Sequence, residues 1–190
     1  MMSIRYKKMS MPKELGFITP TFMTVFELFL SDPMQEYHER EVVRRTNVSR
    51  GSANKILRLL AALGFLTRQT RGRMVFYRLN HREAVVKQFK ILSNVYLLKG
   101  LTAQIKEESR RIVLFGSCAE GTDTRESDID LFILTSTKNT VRRRIRDFNR
   151  TSDRKVVPVV IDTNELTRLK REDKPLYENV QRGIVLWEKE

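Results

Sequence analysis

The chain has 190 residues, of which 41% are hydrophobic and 31% are charged, a balance typical of a soluble, folded protein rather than a disordered or fibrous one. One cysteine, Cys118, cannot form an internal disulfide or build a cysteine zinc site, and with only two histidines a His-based metal or triad site is not expected. No run of residues is apolar enough to span a bilayer, and no secretory signal is visible. We therefore expect a cytoplasmic protein without a membrane partner.

The net charge is strongly basic and unevenly distributed. Thirty-six Lys and Arg residues stand against 23 Asp and Glu, which leaves a formal charge of +13. An excess of this size indicates a polyanionic partner, either nucleic acid or an anionic surface. Residues 42–82 hold ten basic side chains and no acid, whereas residues 120–130 hold five acids and one Arg. This contrast predicts two modules with different functions.

Three helices are predicted at the start of the basic module. Apolar residues dominate residues 21–31, and a short helix is expected over residues 39–46. The third helix, residues 50–63, has apolar positions at the helical period, with Ser49 as its N-cap and Gly64 at its end. The second and third helices are therefore expected to be separated by a tight turn, ahead of the strand-like residues that follow.

Two strand-like runs follow the helices, over residues 65–70 and 74–80, around a basic glycine turn. The order of short helix, turn, longer helix and basic hairpin resembles a winged helix-turn-helix DNA-binding domain. The residues that carry this resemblance are 41–49, 54–60 and 72–80. In that family the second helix of the pair enters the major groove, so the resemblance implies duplex DNA as a partner.

Six basic or amide side chains are the candidate DNA contacts. Those on the outer face of the second helix can pair with base edges or phosphates, and those at the hairpin tip can reach the backbone or the minor groove. The candidates are Arg50, Asn54, Lys55, Arg58, Arg71 and Arg73. The alternative is a solvated basic face on a domain that packs against its neighbour or dimerises.

Residues 82–107 are expected to form connecting helices with a break near Gly100. Their apolar residues recur at the helical period, at Val85, Phe89, Leu92 and Tyr96. This stripe either packs on its own chain or joins two subunits in a homodimer, and the spacing does not choose between these alternatives.

The acidic module begins with a short apolar strand that runs into Gly116-Ser117, and ten residues later Ser127 opens the run Asp128-Ile-Asp130. Alternate residues of a strand share a face, so both carboxylates point the same way and repel each other unless a cation bridges them. Gly116 permits a close backbone approach, and a Ser hydroxyl with helix-start amides suits a phosphate. The pattern therefore predicts a combined metal and phosphate site.

This combination, Gly-Ser followed by Asp-x-Asp between apolar strands, resembles the minimal nucleotidyltransferases of the DNA polymerase β superfamily over residues 110–190. The resemblance implies an α/β (α+β) fold with a mixed sheet and transfer of a nucleoside monophosphate from a nucleoside triphosphate, with ATP as the expected donor. It also implies two Mg²⁺ ions held by Asp128 and Asp130, with phosphates held by Gly116, Ser117 and Ser127.

The family has a third carboxylate in a later strand. The matching strand here, residues 156–161, has none, and the usual position falls near Val159; Asp162 is the nearest acid. Either Asp162 serves as the third catalytic carboxylate by a shifted register, or the site lacks that acid. Between the strands, residues 138–155 hold eight basic side chains and two acids, which is typical of a helix that contacts triphosphate or nucleic acid, or of a solvated face.

We expect four segments: an N-terminal extension over residues 1–19, a winged helix over 20–81, connecting helices over 82–107 and a nucleotidyltransferase domain over 108–190. The expected function is Mg²⁺-dependent nucleotidyl transfer by a protein that its first module brings to DNA. The alternative is a DNA-binding regulator of antitoxin type whose nucleotidyltransferase domain is inactive or senses nucleotide. The acceptor remains open among a protein hydroxyl, a small molecule and a nucleic-acid end.

Overall fold

A computed structural model describes residues 15–189, and contacts divide the chain into two units. The first unit contains the residues up to Leu30 together with Gln35–Leu79, and the second contains Ser31–Met34 and the residues from Asn80 onward. Of the predicted N-terminal extension, residues 1–19, the first 14 residues lie outside the described part of the chain. No helix among residues 15–189 is both long and apolar enough to cross a membrane.

The first unit has three helices and a three-stranded antiparallel sheet in the order β1-β3-β2. Its elements are α1 (Pro20–Ser31), β1 (Glu36–His38), α2 (Glu39–Thr46), α3 (Arg50–Ala62), β2 (Leu66–Arg71) and β3 (Met74–Leu79). All three predicted helices and both hairpin strands are confirmed within two residues. The three-residue strand β1 was not predicted, because so short a run shows no measurable alternation.

Local sequence explains the α2–α3 pair. Asn47 adopts a left-handed conformation with φ 55° at the end of α2, which Asn tolerates better than most residues. The Ser49 hydroxyl then accepts the backbone N–H of Ser52 at 3.3 Å, so Ser49 is the N-cap that the sequence predicted. Buried side chains of α1 and α3, including Phe26 and Leu57, form the core that holds the pair together.

The second unit contains a four-stranded mixed sheet in the order β6-β5-β4-β7. Its elements are α4 (Ala84–Ile105), β4 (Arg111–Phe115), α5 (Ser117–Glu120), β5 (Ile129–Leu134), α6 (Lys138–Thr151), β6 (Val156–Ile161), α7 (Thr163–Glu172), α8 (Lys174–Gln181) and β7 (Ile184–Glu188). Strand β4 pairs antiparallel with β5 and β7, whereas β5 and β6 are parallel. The predicted α+β class with a mixed sheet is confirmed.

The prediction of a break near Gly100 was wrong, because α4 is one continuous helix from Ala84 to Ile105. The helix belongs to the second unit, and its Leu98, Leu101 and Ile105 lie in the core beneath the sheet. A glycine inside a helix costs about 1 kcal/mol relative to alanine, and burial of these apolar side chains outweighs that cost. The segment predicted as connecting helices is therefore mainly part of the second unit.

Most of the apolar stripe predicted for α4 is exposed. Val85, Leu92 and Tyr96 are 42%, 61% and 73% exposed, whereas Phe89 is half-buried, so the stripe does not pack on its own chain as a whole. The buried face instead carries two polar residues, Lys90 and Asn94. Periodicity selected the wrong face, because it cannot count a buried polar group that finds partners elsewhere in the fold. The homodimer alternative stays a prediction.

Candidate active site

The two carboxylates of the Asp-x-Asp run lie at the start of strand β5. Asp128 is exposed in the preceding loop, and Asp130 is half-buried opposite Phe115 of β4. Burial raises the pKa of Asp130, and the nearby Asp128 charge raises it further. Both effects disfavour a second negative charge at this point. A divalent cation would relieve them, because carboxylate oxygens are among its preferred ligands.

Gly116 brings the backbone directly against this pair. It has φ 67°, which side chains rarely tolerate, and a Cβ at this position would lie 2.5 Å from Asp130 Oδ2. Its carbonyl accepts the backbone N–H groups of Ala119 and Glu120 at 3.0 and 3.2 Å, which starts the short helix α5 at Ser117. The fold therefore brings the predicted Gly116-Ser117 turn and Asp130 together.

Ser127 shapes the loop that leads to Asp128. Its hydroxyl accepts the backbone N–H of Thr124 at 2.9 Å, and its own N–H donates to the Thr124 carbonyl at 3.1 Å. These two bonds close a tight turn just before the carboxylate pair. The predicted phosphate contact of Ser127 is compatible with the first bond, because a hydroxyl that accepts an N–H still has its own proton to donate.

Asp162 does not join the pair. It is the N-cap of α7, where its side chain accepts two backbone N–H groups in a capping box with Glu165. It also forms an ion pair with Lys138 at 2.7 Å, and the Lys138 hydrogen bond is the main cause that lowers the pKa of Asp162. The residue of β6 opposite Asp130 is Val157. Asp162 is five positions farther along, roughly 16 Å at the usual strand rise.

The place of a third carboxylate is therefore occupied by an apolar residue. Val157 is 44% exposed and pairs with Asp130, whereas Val159, the position expected from the sequence, pairs with Phe132. Within residues 15–189, no group of three or more His, Cys, Asp or Glu side chains is placed to share a metal ion. The site has two carboxylates, and the shifted-register role predicted for Asp162 does not fit the fold.

Sequence reasoning missed a buried polar network behind the Asp128 loop. Its members are Lys90, Asn94, Asp123 and Arg154, contributed by α4, the loop after α5 and the loop before β6. They are far apart along the chain, and the spacing of Lys90 and Asn94 by one helical turn was the only signal. The network lies in the same unit as the carboxylate pair.

Residues 97–186 match the family model for the nucleotidyltransferase domain. This part of the chain is therefore similar to nucleotidyltransferase domains. The match begins inside α4, which agrees with the packing of the second half of that helix in the core. A search of curated proteins found no match to the sequence.

Three solved structures resemble parts of the chain. A candidate nucleotidyltransferase from Sulfolobus solfataricus is 17% identical with a TM-score of 0.39, over 56% of this chain and 91% of its own. A mutant of the toxin–antitoxin pair MntA–HpeT is 23% identical with a TM-score of 0.38, over 50% and 74%. TrmBL2, an archaeal chromatin protein, is 18% identical with a TM-score of 0.32, over 87% and 71%.

The first unit has a partly neutralised basic face. Glu39 of α2 forms an ion pair with Arg50 at 2.9 Å and accepts a hydrogen bond from the Asn54 side chain. The Arg50 and Asn54 hydrogen bonds lower the pKa of Glu39. Lys55 and Arg58 are exposed on the same helix. The acid-free stretch of sequence is thus not acid-free in space, because α2 supplies a carboxylate to α3.

At the hairpin tip, one arginine is likewise paired with an acid and the other is exposed. Arg71 forms an ion pair with Glu36 at 2.8 Å and lies 5.1 Å from the centre of the Phe76 ring. Arg73, beyond the turn at Gly72, is exposed. Of the six predicted DNA contacts, Arg50, Asn54 and Arg71 are engaged by acids of the same unit. Lys55, Arg58 and Arg73 are also exposed, and the described residues place no acid in an ion pair with them.

Proposed function

We propose that the nucleotidyltransferase domain transfers a nucleoside monophosphate from a nucleoside triphosphate, with ATP as the expected donor, in a Mg²⁺-dependent reaction. The observation that carries this proposal is the Asp130 carboxylate, two residues after Asp128, set directly against the Gly116 backbone. The half-buried Asp130 carboxyl, whose pKa is raised by burial and by the Asp128 charge, has no evident structural use at this glycine turn. A bound cation and phosphate would give this carboxylate a role.

Asp128 and Asp130 would hold the divalent ion, and the Gly116-Ser117 turn would contact the phosphates. The cation supplies neutralisation of phosphate negative charge and orients the triphosphate. Gly116 leaves room for this approach because it has no side chain, and the backbone amides of the Gly116-Ser117 turn would be the donors to phosphate. With two carboxylates in place and Asp162 elsewhere, the residues fit one Mg²⁺ ion better than the two-ion site expected from the family.

The decisive experiment is incubation of the full chain with labelled ATP and Mg²⁺ in a cell lysate, paired with calorimetry of Mg²⁺–ATP binding to the purified protein. A labelled protein, nucleic acid or small molecule would support transfer and identify the acceptor class. A matched incubation with EDTA should leave no label. Absence of Mg²⁺–ATP binding by calorimetry would overturn the proposal.

A second candidate function is favoured by Val157. With valine opposite Asp130 on β6, the domain would bind nucleotide without efficient turnover, and the protein would act as a nucleotide-sensing DNA-binding regulator. Binding of Mg²⁺–ATP without label transfer, together with sequence-specific duplex binding, would support this candidate. Transfer to any acceptor would support the first.

We also propose that the first unit is a winged helix that binds duplex DNA. Its support is the succession of α2, a tight turn and α3, followed by a hairpin whose β3 pairs with both β1 and β2. Lys55 and Arg58 are exposed on α3, and Arg73 is exposed at the hairpin tip. In winged helices of this type the second helix of the pair reads the major groove.

Lys55→Ala and Arg58→Ala are each expected to weaken duplex binding by about 1–3 kcal/mol, because each removes a side chain that can contact a base or a phosphate. Fluorescence anisotropy with a labelled duplex at several salt concentrations would measure the effect. Arg168→Ala, which removes one exposed cation from α7, is the matched control and should bind like wild type. Duplex binding that does not respond to salt would contradict the proposal, because phosphate contacts release counterions.

Glu39→Gln is expected to strengthen duplex binding by about 0.2–1 kcal/mol, the usual size of an exposed ion pair. The substitution releases Arg50 and removes a negative charge from the face of α3. The slope of log affinity against log salt should become steeper by about 1 if Arg50 gains a phosphate contact. Glu172→Gln, which releases Arg168 in the other unit, is the control. Weaker binding would show that Glu39 orients Arg50 and Asn54 for DNA instead of withholding them.

A further inference from the structure

A buried cluster of charged and polar side chains lies behind the loop that carries Asp128. Lys90, Asn94 and Asp123 are 4%, 3% and 5% exposed, and the Arg154 side chain is 21% exposed. We call these four residues the loop anchor. Two cations and one anion are thus removed from most of their water, which is costly unless their contacts compensate.

Asp123 is the centre of the loop anchor. Its carboxylate lies 3.4 Å from Lys90 Nζ and 3.2 Å from an Arg154 guanidinium nitrogen, and it accepts a hydrogen bond from Asn94 Nδ2 at 3.2 Å. Lys90 also donates to the Asp123 backbone carbonyl. Burial lowers the pKa of Lys90, and the Asp123 charge opposes that shift. The start of the loop is therefore held to α4 through both its side chain and its backbone.

Arg154 extends the loop anchor to the end of the loop. Its guanidinium donates to the Ser127 carbonyl at 3.2 Å, to Cys118 Sγ at 3.1 Å and to Asn94 Oδ1 at 2.7 Å. The Cys118 thiol in turn donates to the Asp128 carbonyl at 3.4 Å. These contacts end on the backbone of Ser127 and Asp128, immediately beside the carboxylate pair.

Asn94 connects the loop anchor to the Gly116-Ser117 turn. Its side-chain amide donates to the carbonyl of Cys118, the residue after Ser117, at 3.0 Å. Gly121, which follows α5, packs so closely on the Lys87 carbonyl of α4 that a Cβ would collide with it. One helix thus carries contacts to both halves of the candidate site.

We propose that Asp123, Arg154 and Lys90 are positioning residues that hold the Asp128 loop and the Gly116-Ser117 turn in the geometry that binds Mg²⁺ and nucleotide. The proposal rests on the proposed nucleotidyl transfer. A buried ion pair is a poor stabiliser compared with well-packed apolar residues, so stability alone does not account for three charged groups here. Their contacts with the backbone of the loop that leads to Asp128, at Asp123 and Ser127, do account for them.

The test compares Asp123→Asn and Arg154→Lys with two controls on the exposed Asp147–Arg150 pair of α6, Asp147→Asn and Arg150→Lys. Arg154→Lys keeps the positive charge but lacks the fork that reaches Asp123, Ser127 and Cys118 together. Calorimetry with Mg²⁺–ATP should show affinity about 10- to 100-fold weaker in both anchor variants, the usual effect of losing a partner that orients a metal ligand. The controls should bind like wild type.

Hydrogen exchange of the amides of residues 121–130, measured without nucleotide, separates this proposal from the proposed function. Faster exchange confined to this loop, with an unchanged melting temperature in Arg154→Lys, is expected. If wild type binds Mg²⁺–ATP and Arg154→Lys binds it equally well, the positioning role is overturned. If wild type binds no Mg²⁺–ATP, the proposed function fails, and unchanged exchange of the loop would then overturn the anchor as well. Should Asp123→Asn fail to fold, Asn94→Ala provides the second variant.

Discussion

Asp128→Asn and Asp130→Asn are each expected to weaken Mg²⁺–ATP binding by at least about 100-fold and to abolish nucleotidyl transfer. Loss of a residue that only orients a metal ligand costs about 10- to 100-fold, and loss of the ligand itself should cost more. Calorimetry with and without Mg²⁺ would measure the binding, and label transfer from ATP would measure the reaction. Asp147→Asn, an exposed acid on α6, is the control for a changed charge.

The same pair predicts the direction of the pH dependence. Because burial and the Asp128 charge raise the pKa of Asp130, this carboxyl takes up its proton at a higher pH than an ordinary Asp. Mg²⁺ affinity should therefore begin to fall, as the pH is lowered, before an ordinary aspartate would be protonated. A Mg²⁺ affinity that stays constant down to the pKa of an ordinary Asp would contradict this.

Raising the pH favours Mg²⁺ binding at Asp130 but is expected to lower the stability of the fold. A carboxyl with a raised pKa in the folded state favours folding when it is protonated, and this contribution is lost as the pH rises through its folded pKa. At neutral pH the ionised Asp130 therefore works against folding, and Asp130→Asn should melt at the same temperature as wild type or slightly higher. A marked loss of stability would show that the carboxylate makes a structural contact, and the reading of the pair as a functional site would lose support.

Gly116→Ala is expected to destabilise the second unit by about 1–3 kcal/mol and to remove Mg²⁺–ATP binding. A non-glycine residue at φ 67° carries a backbone penalty of this order. The added Cβ would also lie 2.5 Å from Asp130 Oδ2, so the carboxylate must move. Denaturant unfolding and calorimetry would measure the two effects.

Gly100→Ala is the matched control for this substitution. Gly100 lies inside α4, and a Cβ there would meet no atom within 4 Å. Alanine at such a position should stabilise the domain by about 0.4–1 kcal/mol, because it reduces the freedom of the unfolded chain. Equal effects of the two substitutions would contradict the steric argument for Gly116.

Local signals were enough to predict several elements and half of the candidate site. The N-cap at Ser49 and the apolar period of α3 depend on residues within one or two helical turns, so α2 and α3 could be predicted from sequence. The Gly116-Ser117 turn and the Asp-x-Asp run are likewise short motifs, and Asp128 lies near Asp130 because only one residue separates them.

Features that depend on pairing between distant segments could not be predicted from local sequence. The parallel register of β5 and β6 places Val157 opposite Asp130 and leaves Asp162 to cap α7. Strand register is set by contacts across the sheet and not by the residues of one strand alone. The sequence therefore showed that the position of the third carboxylate was open, but only the strand pairing showed that a valine lies opposite Asp130.

The sequence by itself determined the two-module division, the mixed α+β class and the Gly-Ser and Asp-x-Asp elements, because each of these follows from composition or from neighbours along the chain. Tertiary structure alone decided which face of α4 is buried, that Glu39 engages Arg50 and that Lys90, Asp123 and Arg154 meet behind the Asp128 loop. The physical reason is that a buried charge is tolerated only where its partners come together. Those partners are 31 to 64 positions apart and become neighbours only when the chain folds.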